Sequence, residues 1–164
     1  MIQNTCISYK DNIHLRHIFK LGLMIEERAG SYYSCLAEKA ADPDAKRLCR
    51  KLIQMRLCHI ELIERSLGRW APLLLDQESR NFFELELRKR GIFSSLPPAG
   101  LSEEGIIKYA IEQGNKIIDI YRSFEEAFSD TWRRAHIQDL WIEERNCIKE
   151  LPAALDLKPA YIAA

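Results

Sequence analysis

An internal repeat constrains the fold of this chain more than any other feature of the sequence. One offset of 88 residues carries five positions of the first half onto five of the second, and the pairs are Glu26 with Gly114, Tyr33 with Tyr121, Arg56 with Glu144, His59 with Cys147, and Ile63 with Leu151. A carboxylate on one helix and a Glu-x-x-His motif on the next, present twice, is how a four-helix bundle surrounds two metal ions. The spacing of that arrangement is present in both halves of this chain.

The ligand chemistry of the repeat is only half present. Six positions would supply metal ligands, and three of them still hold a carboxylate or an imidazole, namely Glu26, His59 and Glu144. The remaining three positions hold residues that replace the ligands, namely Arg56, Gly114 and Cys147. The sequence therefore predicts a bundle with the spacing of a two-metal site and a degenerate set of ligands.

Length and charge balance limit the function classes. With 164 residues, the chain suits a single domain spanning 1–164. Its 24 basic and 24 acidic side chains cancel, and the isoelectric point is near 6.9. This balance gives no electrostatic reason to expect nucleic acid or an anionic membrane as a partner. The one compact basic cluster, 88–90, is too small for a nucleic-acid interface.

The sequence predicts a cytoplasmic protein. Charged residues such as Lys10, Asp11 and Arg16 interrupt the apolar residues near the start, unlike those of a secretory signal. No run approaches the roughly 18 uncharged apolar residues of a membrane span. The five cysteines are odd in number and form no Cys-x-x-Cys pair, which favours free thiols in a reducing compartment. They are Cys6, Cys35, Cys49, Cys58 and Cys147.

Helical periodicity predicts an all-α fold without strands. Apolar residues recur at steps of three and four in four long segments, at about 11–40, 43–67, 102–128 and 130–151. Asp11 is a plausible N-cap for the first, and Pro43 suits the first turn of the second. So short a connection makes the first two helices antiparallel neighbours. A crossover at 68–101 with a short helix at about 77–90 joins the two hairpins, and a tail follows at 152–164.

The first hairpin resembles rubrerythrin-like proteins of the ferritin-like superfamily. From Ile25 to Pro43 the sequence reads Ile-Glu-Glu-Arg-Ala-Gly-Ser-Tyr-Tyr-Ser-Cys-Leu-Ala-Glu-Lys-Ala-Ala-Asp-Pro. This is similar to the family's first helix, with its ligand Glu and the aromatic pair that follows. The family's Glu-x-x-His helix matches Arg56-Leu-Cys-His-Ile-Glu-Leu-Ile. The resemblance spans roughly 12–151 and implies an up-down four-helix bundle with a carboxylate-bridged di-iron centre that reduces peroxide or oxidises iron.

Carried over residue by residue, the resemblance implies that Glu26 and His59 serve the first metal and that Glu144 is one bridging ligand. Arg56 stands at the other bridging position, where its permanent charge repels a divalent cation. We expect Arg56 to lie between Glu26 and Glu144 and to stabilise both carboxylates by charge-assisted hydrogen bonds. Gly114 is expected to leave room for the long arginine side chain.

The function predicted from these replacements is a non-catalytic ferritin-like scaffold or binding module without a cofactor, most simply a homodimer. The alternative is a metalloprotein that keeps one iron, zinc or manganese ion at Glu26, His59 and Glu144, with activity of the rubrerythrin peroxidase or ferroxidase type. A third class is a thiol-based redox sensor in which the charge of Arg56 favours the thiolate of Cys147. The sequence names no substrate and no protein partner for any of the three.

Overall fold

The computed structural model describes residues 14–68 and 76–153, and all regular structure in these two stretches is helical. Five helices follow one another along the described chain, namely α1 (Leu15–Lys39), α2 (Pro43–Gly68), α3 (Gln77–Lys89), α4 (Glu103–Glu125) and α5 (Thr131–Glu150). The all-α class predicted from the sequence is therefore confirmed, and the predicted short helix of the crossover is present as α3.

Two predicted helix boundaries were wrong by more than one residue. The first helix begins at Leu15, because His14 has extended backbone angles and its N–H donates to Nδ1 of His17 at 3.1 Å. The predicted cap Asp11 itself lies outside the described residues. Helix α4 ends at Glu125 and not at 128, because the N–H groups of Ala127 and Phe128 donate to carbonyls three residues back in tight turns. Residues 69–75 of the predicted crossover and the tail beyond 153 also lie outside the described residues.

Helices α1 and α2 pair as an antiparallel hairpin. Only three residues, 40–42, connect them, which forces the second helix to return along the first. The contacts agree, since Gly22 lies opposite Ile63 and Glu26 lies opposite His59 one turn later. A Cβ atom at Gly22 would lie only 3.1 Å from Cδ1 of Ile63, so glycine allows the two helices to approach closely here.

Helices α4 and α5 form the second antiparallel hairpin. The buried carboxylate of Glu125, at the end of α4, accepts hydrogen bonds from three side chains of α5: Arg134, Gln138 and Trp141. At the other end of the pair, Gly114 lies against Ile148. Burial raises the pKa of Glu125, but the hydrogen bonds from Gln138 and Trp141 outweigh burial and lower it, so this corner keeps a charged carboxylate.

The crossover is tied to the second hairpin through buried groups. The N–H of Phe93 donates to the side-chain oxygen of the buried Gln113 on α4 at 2.8 Å. Phe83 and Leu87 of α3 and Ile92 beyond it are fully buried. Asp76 caps α3 by accepting from the N–H of Ser79. A connection of this length therefore adds to the core instead of lying free on the surface.

The four long helices contribute unequally to the core. Helices α1 and α4 bury most of one face each, whereas α5 buries only Ile137 and Glu144. A helix that buries so little apolar surface and still buries a glutamate needs a specific partner for that charge. No helix in the described ranges is both long and apolar enough to cross a membrane.

Candidate functional site

Five of the six residues selected by the repeat meet in the interior between the two hairpins. Glu26 comes from α1, Arg56 and His59 from α2, and Glu144 and Cys147 from α5. Three of these side chains are almost inaccessible, with 3% of Glu26, 2% of Arg56 and 2% of Glu144 exposed. Residues that are 88 positions apart in the sequence, such as Arg56 and Glu144, are in direct contact.

Arg56 holds both carboxylates. Its Nη1 donates to Oε2 of Glu144 at 2.6 Å and its Nη2 donates to Oε1 of the same residue at 3.0 Å. The Nη1 group also reaches Oε2 of Glu26 at 3.4 Å. The fork of a guanidinium matches the two oxygens of a carboxylate, and this bidentate geometry is the strongest form of such a pair. The predicted contact of Arg56 with both glutamates is present in the structure.

The guanidinium stays charged at this depth. Burial alone lowers the pKa of Arg56, but the negative charges of Glu144 and Glu26 raise it well above its ordinary value. Removing either kind of charge would leave the other buried without a partner, which costs several kcal/mol in folded proteins. Arg56, Glu26 and Glu144 are therefore mutually dependent, and we refer to these three residues as the inner cluster.

His59 borders the inner cluster on one side and a second group on the other. Its Nδ1 lies 3.4 Å from Oε1 of Glu26, and its Nε2 lies 3.3 Å from Sγ of Cys147. Burial lowers the pKa of His59, but hydrogen bonds to Cys147 and Glu26 outweigh burial and raise it to about 10. Protonated His59 and Arg56 then balance Glu26 and Glu144, so the buried charges sum to zero.

The partner of Cys147 differs from the one predicted. The redox-sensor alternative puts Arg56 beside the thiol, whereas the thiol contacts the His59 ring and the guanidinium is engaged by the two glutamates. Cys147 is half-buried, not enclosed. The other three cysteines in the described ranges are also free thiols, and Cys49 is buried in the core.

The atoms closest to Gly114 belong to Ile148 and Glu144. A Cβ atom at this position would meet Cδ1 of Ile148 at 2.6 Å and Oε1 of Glu144 at 2.8 Å. None of the three nearest atoms belongs to Arg56. The missing side chain therefore makes room for α5 to approach α4, which brings the carboxylate of Glu144 into the interior.

A cavity of about 230 Å³ opens beside the inner cluster. Its lining includes Glu26, His59 and Glu144 of the site together with Tyr121 and Glu143. Burial raises the pKa of Tyr121 far above its ordinary value, and the nearby carboxylates add to this effect, so the phenol stays neutral. The cavity gives solvent or a small ligand access to one side of the site.

The residues do not fit a di-iron centre. Both oxygens of Glu144 accept hydrogen bonds from Arg56, and two of the six positions at which such a centre would need ligands hold Gly114 and Cys147. The donor atoms of Glu26, His59 and Glu144 do lie within 4.8 Å of one another, as one retained metal would require. A metal there would have to displace the Arg56 guanidinium from Glu144.

One residue of the site was missed by the sequence reasoning. Glu143 lies four positions before Cys147 on α5, and its Oε1 lies 3.9 Å from Nε2 of His59. Glu143 and Cys147 form the outer cluster, and His59 lies between the outer and inner clusters. The spacing of four residues places Glu143 and Cys147 on one face of the helix and was a usable signal, although only Glu144 belongs to the repeat.

Comparison of the chain with protein-family models, with curated proteins and with solved structures returned no match. The site is therefore interpreted from its own residues.

Proposed function

We propose that the protein is a rubrerythrin-like member of the ferritin-like superfamily in which the inner cluster takes the place of the di-iron centre. The observation that carries this proposal is the bidentate pair of Arg56 with Glu144, 2% exposed on both sides and shared with Glu26. A fixed guanidinium supplies the positive charge that buried carboxylates of a metal site otherwise take from iron. The two helical hairpins and the long crossover support a ferritin-like topology.

The function that follows is that of a non-catalytic scaffold or binding module in the cytoplasm. The cavity beside the site, lined by Tyr121 and His59, is the place where a small ligand would contact the ion network. A di-iron oxidase or peroxidase needs two metals bridged by carboxylates, and this chain offers no free bridging carboxylate at Glu144.

The test of this proposal is iron binding in the presence of oxygen. Metal-free protein should bind fewer than two ferrous ions per chain, and addition of oxygen should produce no oxo-bridged di-iron absorption. Uptake of two irons per chain with that absorption would overturn the proposal. A rubrerythrin with all six ligands serves as the positive control.

The one-metal site at Glu26, His59 and Glu144 remains the alternative, since their donor atoms lie within reach of one ion. It would give the protein an iron, zinc or manganese ion and a peroxide- or iron-related oxidoreductase activity. This alternative requires the metal to break two hydrogen bonds between Arg56 and Glu144. Metal uptake that is lost in Glu144→Gln but unchanged in Cys147→Ser would favour it.

We also expect a homodimer. Large apolar side chains are exposed on the outer surfaces of the described helices, among them Leu57 and Leu62 of α2 and Trp132 and Ile142 of α5. A second copy would cover such residues. Light scattering at high protein concentration should give twice the mass of the chain, and a monomer would contradict this expectation.

A further inference from the structure

The outer cluster and His59 bring three different donor atoms around one point. Sγ of Cys147 lies 3.3 Å from Nε2 of His59, and Oε1 of Glu143 lies 3.9 Å from the same nitrogen. All three donor atoms lie within 4.8 Å of one another. This set shares only His59 with the ligands that the repeat predicts.

The two helices that face each other produce this arrangement. Glu143 and Cys147 are four residues apart, so they project from neighbouring turns on one face of α5. His59 reaches toward them from α2. Because both elements are regular helices, the donors are carried on a rigid framework instead of on loops.

The donor types and spacing suit zinc. A thiolate, an imidazole and a carboxylate are the three ligand classes that bind Zn²⁺, at about 2.3, 2.0 and 2.1 Å. Tetrahedral angles then place ligand atoms roughly 3.4–3.6 Å apart. The separations of 3.3 and 3.9 Å from Nε2 of His59 are close to these values. A small change of side-chain rotamer would remove the remaining difference.

The orientation of His59 also suits a metal ligand. Its Nδ1 lies against the carboxylate of Glu26, and its Nε2 therefore faces the outer cluster. Histidines that bind metal nearly always donate their second ring N–H to a carboxylate or carbonyl, which fixes the ring and strengthens the ligand. Glu26 would act here as such an orienting group, and not as a ligand.

The charges of the two clusters can coexist. Binding of Zn²⁺ would release the thiol proton of Cys147 and the Nε2 proton of His59, so the net charge of the site would not change. The nearest fixed cation of the site, Arg56, is engaged by Glu144 and Glu26. The zinc ion would thus lie on one side of His59, and the charge of Arg56 on the other.

The geometry points to a single zinc site formed by His59, Glu143 and Cys147, with a fourth coordination position open to solvent. The side chain of Glu143 is 52% exposed, and both Glu143 and His59 line the cavity, so water or a small anion has access to that position. Three protein ligands with one open position is the form that catalytic, rather than structural, zinc sites take. This inference rests on the three side chains alone and does not require the ferritin-like ancestry.

Cobalt binding to the full chain tests the site directly, because tetrahedral Co²⁺ replaces Zn²⁺ and reports a thiolate ligand by its absorption. Metal-free protein should bind one Co²⁺ with a sulfur-to-cobalt charge-transfer band, and Zn²⁺ should remove that band. Cys147→Ser should abolish it, and Glu143→Gln should weaken binding by at least about tenfold. The matched control is Cys58→Ser, which changes an exposed cysteine beside His59 and should bind as the parent does. A band that persists in Cys147→Ser, or protein that binds no Co²⁺, would overturn the proposal.

A second measurement needs no variant. Zn²⁺ should protect Cys147 from alkylation by iodoacetamide in the parent protein, while the exposed Cys58 reacts equally with and without the metal. Equal labelling of Cys147 in both conditions would count against zinc binding. Protection of Cys147 together with two-iron uptake would retain the zinc site and remove the proposed function, so the two proposals can fail separately.

Discussion

The two sides of the His59 ring differ in how their negative charges are balanced. On the inner side, Glu26 and Glu144 share the guanidinium of Arg56, and all three side chains are nearly inaccessible. On the outer side, Glu143 is half exposed, and in the described part of the chain its ion-pair partner is His59. The inner carboxylates share a permanent cation, whereas the outer donors face His59, whose ring proton a metal ion can displace. The difference teaches that one buried arginine can balance two carboxylates that would otherwise need another cation.

The largest expected effect comes from removing the cation of the inner cluster. Arg56→Ala would leave Glu26 and Glu144 facing each other in the interior, and the free energy of unfolding should fall by about 3–5 kcal/mol. The loss should be smaller in acid, where one carboxylate can take up a proton. Urea denaturation at neutral and at acidic pH measures both effects.

The control for this variant lies on the same helix. Arg65 pairs with Glu61 at the surface, where both side chains are mostly exposed, and such pairs contribute about 0–1 kcal/mol. Arg65→Ala should therefore change stability little. Equal losses in the two variants would mean that the Arg56 network does not stabilise the fold.

The next effect concerns His59, whose pKa is raised from 6.5 to about 10. Its protonated form is favoured in the folded state, so this contribution is complete below pH 6.5, decreases as the pH rises, and is lost above about 10. Between these limits, the contribution of His59 to stability should fall steadily as the pH rises. Denaturation curves of metal-free protein should show this slope as the difference between the parent and His59→Gln. A difference that does not change with pH would show that His59 is neutral in the fold.

The helices and the contact of Arg56 with both glutamates were predictable, because both follow from periodicity and from the need to pair buried charges. Most helix boundaries were also predictable to within one residue. The role of Gly114 was not predictable, because it depends on how closely α5 approaches α4. No local sequence pattern encodes that distance. The partner of Cys147 was missed for a related reason: spacing gives the helical face but not the rotamers that turn the thiol toward His59.

The smallest expected effect tests the close contact of the second hairpin. Gly114→Ala would place a Cβ atom 2.6 Å from Cδ1 and 2.7 Å from Cγ1 of Ile148, and overpacking of this kind costs about 1–3 kcal/mol. The higher helix propensity of alanine offsets up to about 1 kcal/mol of this loss. Thermal denaturation should therefore show a modest net destabilisation, which Ile148→Ala in the same chain should partly relieve.

The control glycine is Gly30 on α1, where a Cβ atom meets nothing within 4 Å. Gly30→Ala should stabilise the protein by up to about 1 kcal/mol, because only the propensity term remains. If Gly114→Ala stabilised the protein as much as Gly30→Ala does, the described close contact between α4 and α5 at Ile148 would be contradicted.

The most direct test of the account is anomalous X-ray diffraction from crystals exposed to ferrous iron and to zinc, measured at the absorption edge of each metal. We predict that the density between Glu26 and Glu144 belongs to the Arg56 guanidinium, with no iron or zinc peak there. A zinc peak is expected instead between His59 and Cys147. An iron or zinc peak between Glu26 and Glu144, with the Arg56 side chain displaced, would contradict the claim that the arginine has replaced the metal.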